Sequence, residues 1–281
     1  MLLNPLVYHN PRTLEEVLDL YGSLENVRLQ AGGTFLLNAL KLLKRNGAKT
    51  PEHVINLRKV EDLQGIRREK DRLIIQAMTT IDDIYNSKEA TEAFPVFKSI
   101  CRNISTQPIR NMATIGGNLT CRYTWTEMPA VAIGLEAALH FTHPDRTEEV
   151  LEAEDFFKNA AKTKGILTRI SFPITPKAKV AYRRVKKSQF VDIPKLSLLI
   201  KTTPQDGALQ QTRVAVNNCV DFAQRDTELE NFLNTQSCPN PALADEALDH
   251  VTESIYDKRA DDYKKHMFRI SLKSALEEIC A

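Results

Sequence analysis

Glycine is scarce in this chain, and where it occurs twice in a row the backbone must do something that a side chain would forbid. Only 10 of the 281 residues are glycine, against an average usage of about 7%. Four of the ten form two doublets, in Ala31-Gly32-Gly33-Thr34 and Thr114-Ile115-Gly116-Gly117-Asn118. Each doublet follows an apolar residue and leads into a polar one that can hydrogen-bond. A glycine pair turns sharply and lets backbone N–H groups approach a ligand with no Cβ in the way. Two such loops converging on one point would cradle a pyrophosphate. Taken alone, a glycine pair is more often a turn or a tight packing site, so the surroundings must decide.

The length allows a substantial core and two domains. Apolar content of 42% and charged content of 26% are those of an ordinary globular protein. A net charge of +2 argues against a nucleic-acid surface built on bulk charge. No stretch approaches the roughly 18 apolar residues of a membrane span. Met1-Leu2-Leu3-Asn4-Pro5 lacks the basic start of a secretory leader, and a cytoplasmic location is expected. The five cysteines, Cys101, Cys121, Cys219, Cys238 and Cys280, include no CxxC element. They are expected to be reduced and to be buried or indifferent thiols. Of the six histidines only His140 and His143 lie close together, beside Pro144, where a turn surface explains them better than a metal does.

Along the chain, Thr13 to Glu16 reads as a capping box before a helix carrying Leu14, Val17, Leu18 and Tyr21. A strand over Val27 to Gln30 runs into the first doublet. Leu36, Leu37, Leu40 and Leu43 then mark an amphipathic helix closed near Gly47, and Val54 to Leu57 reads as a strand. The opening is thus a small α/β unit. Leu73 to Ala77 predicts a strand, Thr80 with Asp83 a capped helix, Phe94 to Ile104 a helix, Pro129 to Leu135 a helix and Ala138 to Phe141 a strand. Ile166 to Phe172 alternates, with Ile166, Thr168, Ile170 and Phe172 on one face. Pro173, Pro176, Lys177 and Lys179 mark a boundary. Beyond it, strands over Lys195 to Thr202 and Val214 to Val216 precede a mainly helical region from Asp226 to Cys280, which suggests an α+β domain.

No GxGxxG follows a strand and there is no GxxxxGK[ST], so a dinucleotide site here is not of the Rossmann or P-loop kind. The order, flanks and separation of the doublets match another pattern. Leu29-Gln30-Ala31-Gly32-Gly33-Thr34-Phe35-Leu36-Leu37 is similar to an AGGTDLL loop, and Pro51 to Leu57 to the PEHLIDL strand that follows it. Ile109-Arg110-Asn111 through Gly117-Asn118 is similar to an IRNxATIGGN signature, and Asp257-Lys258-Arg259 with Tyr263-Lys264 to a DxRxSxxYR element. Over nearly its whole length the chain resembles the flavin-carrying medium subunit of the molybdenum hydroxylases, of the xanthine, carbon monoxide and nicotinate dehydrogenase type.

That resemblance implies an α+β protein: a two-subdomain FAD-binding domain of the vanillyl-alcohol oxidase or PCMH-like type (1–57 and 58–175), then a smaller α+β domain (178–281). FAD would lie between the subdomains, its pyrophosphate on the amides of both glycine loops, with Thr34, Thr114 and Asn118 adding side-chain hydrogen bonds. The implied contact set also includes Leu29, Gln30, Ala31, Phe35, Leu36, Thr106, Ile109, Asn111, Ile115 and Leu167. The chain departs from the family at Phe35, where relatives often carry Asp or Ser. It departs again at Glu127, aligned with an FAD-bonding Asp, and at Arg184, aligned with a Lys near the flavin. Glu127 is either an FAD acceptor one methylene further out or a helix N-terminal charge. Arg184 keeps the cation but not its geometry, within a run, Arg183 to Lys187, that otherwise reads as a solvated face. Trp125 either covers the isoalloxazine or a partner surface, or is core. Cys121 alone cannot hold an iron–sulfur cluster, and none is expected.

The implied activity is electron transfer by an FAD subunit. A molybdopterin-binding large subunit hydroxylates the substrate, a small subunit carries two [2Fe–2S] clusters, and the flavin passes electrons to NAD or another acceptor, in a dimer of heterotrimers. No acid–base residue, metal ligand or nucleic-acid partner is nominated in this chain. Two alternatives stand beside this reading: a scaffold subunit that has lost FAD, and a self-sufficient flavin oxidase.

Overall fold

The computed structural model describes residues 3–121, 123, 125–158, 163–188, 193–256 and 259–281. Asp257 and Lys258 of the expected C-terminal element lie outside these residues, as do Arg122 and Thr124 between the second glycine loop and Trp125.

Three sheets organise the described chain. The first contains β1 (Val7–His9), β2 (Val27–Gln30) and β3 (His53–Asn56), in the order β1-β3-β2 and parallel throughout. Parallel neighbours need a crossover, and the helices Leu14–Ser23 and Leu36–Arg45 supply it. The Thr13 hydroxyl caps the first of these by accepting from the Glu16 N–H. Val17, Leu18 and Ile55 meet in the core of this unit. β1 lacks a periodic signal because it is short and exposed at Val7 and Tyr8.

The second sheet is antiparallel in the order β4-β5-β8-β6-β7, from β4 (Ile66–Glu69), β5 (Arg72–Gln76), β6 (Ala138–Thr142), β7 (Glu148–Glu152) and β8 (Ile166–Pro173). β8 is paired along both edges, and it is buried on both faces rather than on the one its alternation suggests, because Ile170 and Phe172 join the core of this sheet's helices while Ile166 joins that of the first unit. Its helices pack Phe97, Ile100, Ile115 and Val131 against Leu73, Ile75 and Ile170. Thr80 and Asp83 form a full capping box on the helix Ile81–Asn86. The helix expected over Phe94 to Ile104 is present as Val96–Asn103, starting after Pro95, and a separate helix, Lys88–Ala93, precedes it. His140 is not on a turn: it lies in β6, bonded to the Ser171 hydroxyl at 2.9 Å, whereas His143 does sit at the turn, 2.9 Å from a Glu149 oxygen.

The third sheet is antiparallel, in the order β12-β11-β10-β9, from β9 (Lys179–Val185), β10 (Leu196–Gln205), β11 (Ala208–Asn217) and β12 (Gln224–Arg225). The helix Asp262–Cys280 packs Phe268, Leu272, Ala275 and Leu276 onto it. Arg183 and Arg184 thus belong to a strand rather than to a uniformly solvated run; Lys186 and Lys187 beyond it are exposed. The helix Met128–Gly134 joins this sheet to the second one. It is buried along its whole length, and a Cβ on Gly134 would lie 2.4 Å from a Leu199 methyl. Just past its end, Glu136 accepts from Lys201 and lies 3.1 Å from Nε of Arg213.

The cysteines depart from expectation. Cys238 and Cys280 form a disulfide, Cα atoms 5.2 Å apart, because the end of the last helix comes to rest beside the loop that pairs with Gly207. Cys101 and Cys219 are buried free thiols and Cys121 is half-buried.

Candidate functional site

The two glycine loops meet. β2 delivers the first, which passes into the helix Leu36–Arg45; the second opens the helix Ile115–Thr120. A Cβ on Gly32 would lie 1.9 Å from the Met112 carbonyl oxygen, and one on Gly116 would lie 2.6 Å from that of Ala77. Real Cβ atoms do not approach backbone that closely, so the first glycine of each pair is required by packing. Gly116 also donates its N–H to the Ala77 carbonyl at 2.8 Å, and Ile115 to that of Thr79 at 3.0 Å, which fixes the second loop to the end of β5.

The second glycines have a different environment. Gly33 adopts φ +76°, a left-handed conformation that side chains resist. A Cβ on Gly117 would lie 3.3 Å from the Ala31 Cβ, so at this point the loops touch one another. The Thr114 hydroxyl accepts the Gly117 N–H at 3.1 Å, and the Asn118 side-chain Oδ1 caps the next helix by accepting the Met128 N–H at 3.2 Å. Both side chains therefore shape the loop; each keeps a donor for a ligand. Helix starts also lie here, and no side chain caps the one at Leu36. First-turn N–H groups have no intrahelical partner and favour an anion; those of the Ile115–Thr120 helix are taken within the protein, which leaves the Leu36 start for a ligand.

Between the loops opens a cleft of about 950 Å³, at the upper end of ordinary small-molecule sites. Of the expected contact residues, Leu29, Ala31, Gly32, Gly33, Thr34, Phe35, Leu36, Ile109, Thr114, Gly116, Gly117, Asn118, Glu127 and Leu167 line it. Gln30, Thr106, Asn111, Ile115 and Arg184 do not. The Gln30 amide lies under Gly33, and Ile115 is wholly buried below the loop. Thr106 and Asn111 are exposed at either end of the short helix Gln107–Arg110.

Arg184 stands behind Glu127. Its Nε lies 2.8 Å from a Glu127 oxygen, and the two side chains are only 3% and 5% exposed. Burial pushes the Glu127 carboxyl above its ordinary value, against the pull of the guanidinium. Both alternatives for Glu127 are thereby amended: it borders the cleft at the start of a helix, and its carboxylate is engaged by Arg184. Sequence reasoning missed Ile104, Phe141, Phe156, Ile166, Ile193 and Pro194, which also line the cleft. They are ordinary apolar residues with no motif, brought there by the second sheet and the segment before β10. Burial raises the Cys121 thiol and its Sγ–H donates to the Asn118 carbonyl at 3.3 Å, so it offers no thiolate. Among the described residues no group of three or more metal-ligating side chains converges.

A glycine-walled cleft between a parallel and an antiparallel unit, bordered by backbone amides and apolar side chains, is a site shaped to hold a cofactor. Residues 4–175 match the family model described as the FAD binding domain in molybdopterin dehydrogenase, and the chain belongs to that family. It is 28% identical to the carbon monoxide dehydrogenase medium chain of Afipia carboxidovorans, over 96% of this chain and 95% of that one. It is 24% identical to the glyceraldehyde dehydrogenase medium chain of Sulfolobus acidocaldarius, over 97% of each. Among solved structures, carbon monoxide dehydrogenase from Hydrogenophaga pseudoflava lacking the Mo-pyranopterin moiety superposes with a TM-score of 0.89 at 26% identity, over the full length of both chains.

Proposed function

We propose that this chain is the FAD-carrying electron-transfer subunit of a multi-subunit molybdenum hydroxylase. The observation that carries this is the contact of the two glycine loops, Ala31 against Gly117, over a cleft large enough for a dinucleotide. The residues fit the cofactor: two of the four doublet glycines exclude any side chain by backbone contact, and a third has positive φ. Amides of residues 32–35 would hold the pyrophosphate, with the side chains of Thr34, Thr114 and Asn118 beside them; the N–H groups of Gly116, Gly117 and Asn118 are taken by the Ala77 carbonyl, the Thr114 hydroxyl and the Thr114 carbonyl, so the second loop contributes side chains and shape. When bound, FAD supplies the electron exchange that no side chain here can perform. The chain's own residues bind it, shield it and set the charge beside it through Glu127, which Arg184 holds in place.

We read 1–57 and 58–175 as two subdomains of a PCMH-like FAD domain and 178–281 as the following α+β domain. The partners are a molybdopterin-binding large subunit and a [2Fe–2S] small subunit, assembled as a dimer of heterotrimers, with NAD or another carrier accepting the electrons. No helix among the described residues is long and apolar enough to cross a membrane. We place the complex in the cytoplasm. There the Cys238–Cys280 bond must withstand the thiol pool, so thiol trapping in intact cells tests that placement.

The functional test is direct. The purified chain is incubated with FAD, desalted and scanned in the visible range. A retained flavin spectrum in the wild type, lost in Gly117→Leu with the fold intact, is the expected result. A chain that retains no flavin after reconstitution is a scaffold. Reduction of the bound flavin by a small organic substrate without partner subunits would mark a self-sufficient oxidase.

A further inference from the structure

We propose that Phe35, Tyr123 and Trp125 form an aromatic platform on which a planar ring of the dinucleotide stacks; this rests on the FAD reading above. The rings come from both sides of the cleft. Phe35 follows the first glycine loop, and Tyr123 and Trp125 follow the helix that carries the second. Tyr123 and Trp125 lie nearly parallel, with centroids 4.1 Å apart and planes 18° apart. Phe35 stands edge-on to Tyr123 at 4.5 Å and tilted to Trp125 at 5.8 Å. All three line the cleft, and all three are half-buried.

The core aromatics behave differently. Phe94, Phe97 and Phe172 are at most 5% exposed and meet edge to face. Three large rings left partly open on a cleft wall keep apolar surface that a ligand ring would cover. Stacking of this kind tolerates different rings, since each presents a π-face. The shared chemistry is a planar heteroaromatic ring, and both adenine and isoalloxazine supply it. The platform also accounts for Phe35, where the chain first leaves its family's pattern, and gives its single tryptophan a task.

Dissociation constants for FAD, measured by flavin fluorescence on the full chain, test the platform in wild type, Trp125→Ala, Trp125→Phe and Tyr123→Ala, with circular dichroism confirming the fold. Trp125→Ala and Tyr123→Ala are each expected to weaken binding at least about fivefold, the lower end of the cost of losing a stacked ring. Trp125→Phe, which keeps a planar ring, should stay within about threefold of wild type. Competition by ADP and by FMN then identifies the ring: the mononucleotide carrying it loses affinity in the same proportion, and the other does not. Should the alanine variants misfold, acrylamide quenching of Trp125 in the wild type decides, because a stacked ring shields the indole in the FAD-loaded chain. Wild-type affinity in both alanine variants, a loss in Trp125→Phe equal to that in Trp125→Ala, or unchanged acrylamide access overturns the platform. A wild-type chain that binds no FAD at all refutes the functional reading itself, which is a separate outcome.

Discussion

Gly32 lies directly on the backbone of Met112: a Cβ there would sit 1.9 Å from the Met112 carbonyl oxygen. This contact joins the loop that follows the parallel sheet to the loop that opens the second unit's cleft helix. The doublet glycines fall into two kinds by what a Cβ would meet: backbone at Gly32 and Gly116, side-chain atoms at Gly33 and Gly117.

The two kinds should fail differently. Gly32→Ala forces backbone apart and is expected to cost more than about 2 kcal/mol of stability, as strained core positions do. Gly117→Ala meets only the Thr114 hydroxyl at 3.1 Å and the Ala31 methyl at 3.3 Å. It should fold with a small drop in Tm and a larger loss of FAD affinity. Thermal unfolding beside FAD titration of both variants checks this, and equal effects on both readouts would contradict the division.

The Glu127–Arg184 pair is buried, so removing one partner takes the buried counter-charge from the other. Glu127→Gln is expected to destabilise the chain by about 3–5 kcal/mol. Replacing both residues together, as Glu127→Leu with Arg184→Met, should recover most of that loss, since apolar substitutes of similar size avoid the desolvation cost. Urea unfolding of the single and double variants measures the difference. A double variant as weak as the single one would show that Glu127 acts through something other than the pair.

His140 gives a pH dependence of known sign. Burial first, then the cations Arg169 and Arg72, push its ring below the ordinary value of 6.5, against Glu148. The unfolded state therefore takes up the proton more readily. Stability from this group is complete above the unfolded value and is lost as pH falls through it toward the folded one. Between about pH 7 and pH 5.5, His140→Gln should lose less stability than wild type. Urea midpoints that fall in parallel for the two proteins would remove His140 from the account.

The disulfide closes a 42-residue separation and ties the end of the last helix to the loop beside Gly207. Cys238→Ser is expected to lose about 2–4 kcal/mol, the usual contribution of such a cross-link. Dithiothreitol should lower the Tm of the wild type and leave that of Cys238→Ser unchanged. A wild type insensitive to reductant would mean that the bond does not contribute in solution.

Local signals carried most of the element reading. Thr80 with Asp83 announced a capped helix because both hydrogen bonds lie within four residues of chain. The Leu36 to Leu43 periodicity announced another because burial of one helix face follows from spacing alone. β4, β7 and β9 left little trace. β4 and β7 are largely exposed, and β9 carries two arginines whose heads find partners elsewhere, Glu278 for Arg183 and Glu127 for Arg184. The Cys238–Cys280 bond was invisible for the same reason: no spacing rule says that a helix end returns to a loop 42 residues earlier.

By itself the sequence determined where the backbone must turn without side chains and which family the two glycine motifs belong to. Those are properties of short segments, and short segments keep their chemistry wherever they fold. Only the tertiary structure decided that Gly32 and Gly116 lie against backbone while Gly33 and Gly117 lie against side chains. It alone decided that Glu127 is held by Arg184 from another sheet, and that Phe35 joins Tyr123 and Trp125 across the cleft. Each of these is a contact between residues far apart in the chain, fixed by the packing of three sheets rather than by any local preference.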